Sequence, residues 1–282
     1  MWSMSRHRKK RILDLITYVL LIGGAVLMAT PFLWMVSTSF KLPANQYTKN
    51  LIPDPFTLNN FRDLLNVQIN FPLLFYNSFL ISIMVTIGQL LTCSMAAFVF
   101  AAVQFRFRNL LFVLLLITLT IPAQVTLIPN FILFKYIHLI GTKLPLILPA
   151  FWGGAFGTFL LRQYFLTIPR DFLDAARVDG ASLVQIYTRI YLPLSRPALA
   201  ALAIFTFQAA WNDLLQPLVY LPSVPNTTLT VGLAFFQQQM TQGGKFTVLM
   251  AGALISILPL IIVFFFAQKQ FIEGISLTGL KR

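Results

Sequence analysis

Long apolar runs separated by short polar clusters set the pattern of this chain. About 20 apolar residues carry a helix across a bilayer. Six stretches meet or approach that length: Ile12–Ser37, Leu73–Val103, Leu110–Leu133, Leu144–Leu161, Ala198–Leu221 and Thr247–Ala267. The fourth is the weakest, because Pro145, Pro149 and three glycines interrupt it. Pro122 and Pro129 are expected to kink or end the third, since proline removes a helical hydrogen bond. The pattern predicts an all-α integral membrane protein, one domain over residues 1–282 with six transmembrane helices. "RHRKKR" before the first run fits a signal peptide, but that run is longer than a signal core. It reads as a retained helix behind a basic anchor.

The gap between the fourth and fifth runs, residues 162–197, has a different character. "LDAARVDGASLVQIYTRIYLPLSRP" packs charges, glycine and two prolines between apolar stretches. Arginine at the bilayer centre costs about 2.5–3.5 kcal/mol, so this segment lies outside the lipid. Its local code predicts two short helices joined by a turn. Pro169 suits a first helical turn, and Asp171 and Asp174 suit the positive end of the same helix. Phe172, Leu173 and Ala176 give that helix an apolar face. Gly180 stops it. Ser182 with Gln185 three residues on is a capping box, followed by a stripe of Leu183, Ile186, Tyr187 and Ile190; Pro193 ends the second helix. Such a hairpin either shields the ends of neighbouring spans or docks a partner, and the local pattern leaves both open.

Composition agrees with a membrane setting: 57% of residues are hydrophobic and 10% charged, against about 25% charged in soluble domains. The net charge of +13 is a topology signal more than a nucleic-acid signature. With the N-terminus inside, fifteen of the 21 lysines and arginines fall in inner segments, and Lys41, Lys49, Arg62, Lys135, Lys143 and Lys245 fall outside. That bias puts both termini in the cytoplasm, and the elbow of residues 162–197 with them. The outer segments are then Phe40–Pro72, Phe134–Lys143 and Pro222–Phe246. Cys93 is the one cysteine, and His7 and His138 sit on opposite sides, so no metal site is expected.

Chemistry-bearing residues are sparse. No G-x-x-x-x-G-K-[ST] loop is present to cradle ATP phosphates, and no nucleophile–base constellation suits covalent or acid–base catalysis. The chain is not expected to be an enzyme, and its energy comes from another subunit or from a gradient. Asp213 is the acidic residue well inside a predicted span, and ionisable groups there are functional candidates. With Gln208, Trp211 and Asn212 it offers amides and an aromatic ring suited to a sugar. Equally, these residues suit a structural network pinning a helix near Pro217. Gln89, Thr92, Ser94 and Gln124 are further candidates.

The polar insert resembles the EAA loop of ABC importer permeases, in which EAAxxDGA precedes a hydrophobic helix and xLPxxxP. Asp174, Ala175, Ala176, Asp179, Gly180, Ala181, Leu192, Pro193 and Pro197 fall on that pattern, with Asp174 in place of glutamate. "TIPAQVTLIPNFILF", "FLLRQYFLTIPRDF" and "FTFQAAWNDLLQPLVYL" are similar to the carbohydrate-uptake, maltose-type branch with a short tail. In the tail of residues 268–282, Phe271, Gly274, Ser276, Gly279 and Lys281 fit the family's ending, from which Arg282 departs. The resemblance implies an inner-membrane permease of a bacterium or archaeon. It implies a second permease, two ATPase subunits that bind ATP and magnesium, and an extracytoplasmic binding protein, with no cofactor in this chain. It makes residues 162–197 the coupling loop, with Ser182 and Tyr187 among its contacts, the tail a second ATPase contact, and Pro222–Phe246 the segment meeting the binding protein. The cargo it implies is a sugar, an oligosaccharide or a sugar-like polyol. A transporter or channel working alone, or a non-sugar cargo, are the alternatives.

Overall fold

The computed structural model describes residues 6–66, 70–223, 226–243 and 245–279, with side chains for 10–66, 70–223, 226–238 and 245–266. The described residues are helical and include no strand. In chain order the helices are α1 Arg6–Ser39, α2 Asn59–Asn66, α3 Phe71–Ala102, α4 Arg108–Ile117, α5 Ala123–Tyr136, α6 Leu144–Ile147 and α7 Ala155–Phe165. Then follow α8 Asp171–Val178, α9 Leu183–Ile186, α10 Leu192–Leu194, α11 Arg196–Asn212, α12 Leu215–Tyr220, α13 Leu229–Gly243 and α14 Phe246–Gly279.

Four segments are long and apolar enough to cross a bilayer: Lys10–Ser39, Phe71–Ala102, Leu144–Phe165 and Phe246–Phe266. Counting each of two bent helix pairs as one span would bring the number to six. The third expected span bends by 95° between Arg108–Thr120 and Ala123–Tyr136, with Pro122 at the break, as the sequence suggests. The fourth is a broken rod, in which α6 passes through a 3-10 turn at Leu148–Trp152 into α7. Gly153 joins them at φ +91°, a left-handed value that glycine adopts cheaply. The fifth differs from its expected course: α11 stops at Asn212, and a separate short helix, α12, carries the chain on.

The chain parts into two compact units. One comprises Met1–Val67 with Phe236–Ile255. Its centre is Asn60, which is buried. Its Nδ2 donates to the carbonyls of Ser39 (2.8 Å) and Lys41 (2.7 Å), and its Oδ1 accepts from Thr247 Oγ1 at 2.9 Å. A buried amide with its groups paired fixes its neighbours, because leaving one unpaired costs about 1–3 kcal/mol. Phe40 packs on Phe56 and Phe61 beside this knot.

The other unit comprises Gln68–Phe235 with Ser256–Arg282. Helix α3 is its axis, and α7 and α11 lie along it. Cys93, Ala97, Leu161 and Leu202 are buried where the three meet. Gly157 makes the close approach possible. A Cβ there would come within 2.8 Å of Cys93 Sγ and 3.1 Å of Leu202 Cδ1. Gly153 and Gly157 thus do different work, the first turning the chain and the second admitting a neighbouring helix.

Overpacking a tight helix contact costs about 1–3 kcal/mol. Gly157→Val should therefore lower the thermal midpoint of the detergent-solubilised protein by several degrees. Gly24→Val, where a Cβ meets nothing within 4 Å, should leave it unchanged, as differential scanning fluorimetry would register.

Candidate functional site

Two places in the Gln68–Phe235 unit combine polar chemistry with defined geometry: the elbow between α7 and α11, and a cavity lined by α3, α6, α7, α11 and α12.

The elbow is built by local signals. Helix α8 ends in a Schellman motif, with Ala181 N donating to Ala176 O at 2.9 Å and Gly180 N to Arg177 O at 3.1 Å. Gly180 sits at φ +76°, as this C-terminal closure requires. The capping box of α9 is formed: Gln185 N donates to Ser182 Oγ (3.3 Å), and Ser182 N donates to Gln185 Oε1 (2.8 Å). The second helix does not stop at Pro193. It passes from α9 through a π-turn at Tyr187–Tyr191 into α10, which has Pro193 in its first turn. The π-turn, in which Leu192 N donates to Tyr187 O, immediately precedes this residue without an N–H. The break falls at Ser195, and Leu183–Leu194 stands at 78° to Arg196–Asn212.

One side of the elbow is locked to α3 and α7. Tyr187 and Ser94 hydroxyls lie 2.7 Å apart in a hydrogen bond. Tyr191 is buried with its ring edge-on to Phe98 (5.0 Å) and Phe165 (5.4 Å). Burial, more than the nearby arginines, decides the Tyr191 phenol's proton affinity and pushes its pKa up. Leu173, Ala176 and Ile186 complete the buried side.

The other side is open. Asp174, Ala175, Asp179, Gly180, Ser182 and Pro193 are exposed, and Ala181, Tyr187 and Leu192 are half-buried. Large apolar side chains lie open beside them: Val178 is 87% exposed, Val184 70%, Phe172 51% and Leu183 45%. Exposed apolar groups rimmed by charge mark a surface that something else covers. The backbones of Phe271, Gly274, Ser276 and Gly279 continue helix α14; Lys281 lies outside the described residues.

The cavity has a volume of about 620 Å³ and is lined by Ile81, Val85, Gln89, Leu146, Phe156, Phe205, Thr206, Ala209, Ala210, Asp213, Gln216 and Pro217. That size suits a small ligand. Asp213 stands where α11 ends, and its Oδ1 accepts from Leu215 N (3.1 Å) and Gln216 N (3.3 Å), capping α12. Gln89 faces the cavity beside Gly154, where any Cβ would collide with its carboxamide. Of the residues singled out in the sequence, Asp213 and Gln89 line the cavity. Trp211 is committed elsewhere, buried with Nε1 donating to Ser256 O at 3.0 Å. Gln208, Asn212 and Gln124 are exposed outside the lining, and Thr92 and Ser94 bond to backbone carbonyls. Thr206 and Gln216 escaped the sequence reading. Gln216 is three residues past Asp213, a spacing that marks a cap, and recognising the helix break would have exposed it.

An elbow set between broken apolar helices, with a mixed polar and apolar cavity lined by some of the same helices, is an arrangement suited to a membrane transport subunit. The comparisons agree. The family model "Binding-protein-dependent transport system inner membrane component" matches residues 90–276. The chain is 36% identical over 281 residues to the arabinooligosaccharides transport system permease protein AraQ of Halalkalibacterium halodurans, covering 97% of this chain and 99% of that one. It is 29% identical over 274 residues to the sn-glycerol-3-phosphate transport system permease protein UgpE of Yersinia enterocolitica, covering 94% and 97%. A chain of a bacterial ABC transporter involved in the import of the acidic polysaccharide alginate superposes with a TM-score of 0.82 at 25% identity, covering 96% of this chain and all of that one. The chain belongs to the family of inner-membrane components of binding-protein-dependent transport systems, and is a multi-pass permease.

Losing a cap costs about 1 kcal/mol, roughly a fivefold change in a local opening equilibrium. Ser182→Ala should speed amide hydrogen exchange across Leu183–Tyr191 by about that factor and leave α3 unaltered. Gly180→Val, which forces a branched side chain into a left-handed conformation, should do so more strongly.

Proposed function

We propose that this chain is a permease subunit importing a carbohydrate across the inner membrane, a single permease domain powered by ATP hydrolysed in partner subunits. The observation that carries the reading is the two-sided elbow, one face locked into α3 and α7 by Tyr187 and Tyr191 and the other open with Phe172, Val178 and Val184. A lever needs one end fixed to the load and one end free for the motor.

On this reading the elbow and both termini face the cytoplasm, where the basic residues concentrate. A pair of ATPase subunits, holding ATP and magnesium, covers the open face. Asp174 and Asp179 are exposed and make no ion pair with a described residue, which leaves them to orient such a partner. Phe271–Arg282 supplies a second contact. A sister permease completes the pathway, and an extracytoplasmic binding protein delivers cargo against Pro222–Phe246. Closure of the ATPases drives the elbow, and with it α3 and α7, between inward- and outward-open states. This chain itself catalyses no reaction.

The cavity supports the carbohydrate assignment. Gln89, Thr206 and Gln216 offer donors and acceptors for hydroxyls, and Phe156 and Phe205 offer faces to the apolar side of a sugar ring. AraQ, by its name, serves arabinooligosaccharides.

The docking role is tested by affinity purification of the tagged transporter from its own membranes. Wild type should bring down the ATPase subunits. Gly180→Pro, which can neither adopt φ +76° nor donate to Arg177 O, should lose most of them while keeping the sister permease. Equal recovery of the ATPases from both sinks the docking role. In proteoliposomes, neutral oligosaccharides with the binding protein should raise ATP hydrolysis above its basal rate.

A further inference from the structure

We propose that Asp213 makes the cavity a charge filter, which admits neutral polyhydroxylated cargo and turns anionic cargo away. The inference deepens the permease reading and rests on it. The lining holds one carboxylate and no lysine, arginine or histidine. No described cation forms an ion pair with Asp213 either. Its charge is therefore met by two backbone N–H groups on Oδ1 alone, and no described group is bonded to Oδ2. The rest of the wall is carboxamide, hydroxyl and hydrocarbon, which hydrogen-bond or stack without neutralising an anion.

A lone negative charge beside low-dielectric walls is felt strongly, because the walls focus its field into the open space. A phosphate or uronate entering would leave water and meet a like charge. A sugar hydroxyl would find an acceptor. The relatives carry both kinds of cargo by name, glycerol-3-phosphate and alginate as well as arabinooligosaccharides, so the fold alone does not choose between them. The charge in the cavity does.

Asp213 also caps α12, and the test must separate the two roles. Asparagine keeps the accepting Oδ1 and removes the charge; alanine removes both. Cys93 is the one native cysteine and is buried, so the unaltered chain is the blank for thiol labelling. Ala209→Cys places a reporter in the lining, and Thr206→Cys serves as a second. In the reconstituted transporter, cationic and anionic methanethiosulfonate reagents are applied and labelling is read by the mass of this chain. The cation-to-anion rate ratio should exceed that of an exposed reference cysteine, and Asp213→Asn should lower it about five- to tenfold. An unchanged ratio in Asp213→Asn with both reporters overturns the filter. A second arm measures ATP-driven uptake of a neutral oligosaccharide. Uptake should fall further in Asp213→Ala, which loses the cap as well as the charge, than in Asp213→Asn, which keeps the accepting Oδ1. Lack of uptake in wild type overturns the carbohydrate reading alone, since the labelling ratio is measured without transport.

Discussion

The elbow is clasped to one end of α3 by a few directional contacts. Tyr191 is wedged edge-on between Phe98 and Phe165, and Tyr187 is tied to Ser94 at 2.7 Å. Edge-to-face ring pairs contribute about 0.5–1.5 kcal/mol each beyond their burial, and the hydroxyl bond adds about 1 kcal/mol. These are small energies, but they are directional, and they join elements far apart in sequence. Without them the hairpin would be a surface ornament. On the proposed reading, a push on Val178 or Val184 is delivered through this packing to α3, and past Gly157 and Leu202 to α7 and α11. The two clasp tyrosines are the first and last residues of a π-turn, an arrangement that recurs at functional positions within helices.

The elbow was legible because its determinants are local. Gly180, and Ser182 with Gln185, each act within one or two turns, so their meaning does not depend on the rest of the molecule; Pro169, expected in the first turn, instead precedes α8, whose N-cap is Arg170. The same holds for the break at Pro122. Where tertiary packing decides, the sequence is silent. Trp211 reads as a sugar-stacking ring, yet it is buried, with its N–H spent on Ser256. The end of α11 at Asn212 went unread within the long run Ala198–Leu221, although the Asx cap at Asp213 signals it in retrospect.

The cavity shows the same division. Asp213 is conspicuous as an acid in an apolar run, and composition alone flags it. Thr206, Gln216 and Gln89 come together only through the packing of α3 on α11 and the break before α12. Gly154 and Gly157 are unremarkable in a membrane chain, yet one makes room for the Gln89 carboxamide and the other for Cys93. Elbow and cavity thus share helices α3, α7 and α11, the route by which the proposed coupling would run.

The most direct test of that linkage is ATP hydrolysis by the assembled transporter carrying Tyr191→Ala. The account predicts that the ATPase subunits stay bound, because the open face of the elbow is untouched, while hydrolysis no longer responds to the cargo-loaded binding protein. Full stimulation in that variant, with the subunits in place, would contradict it.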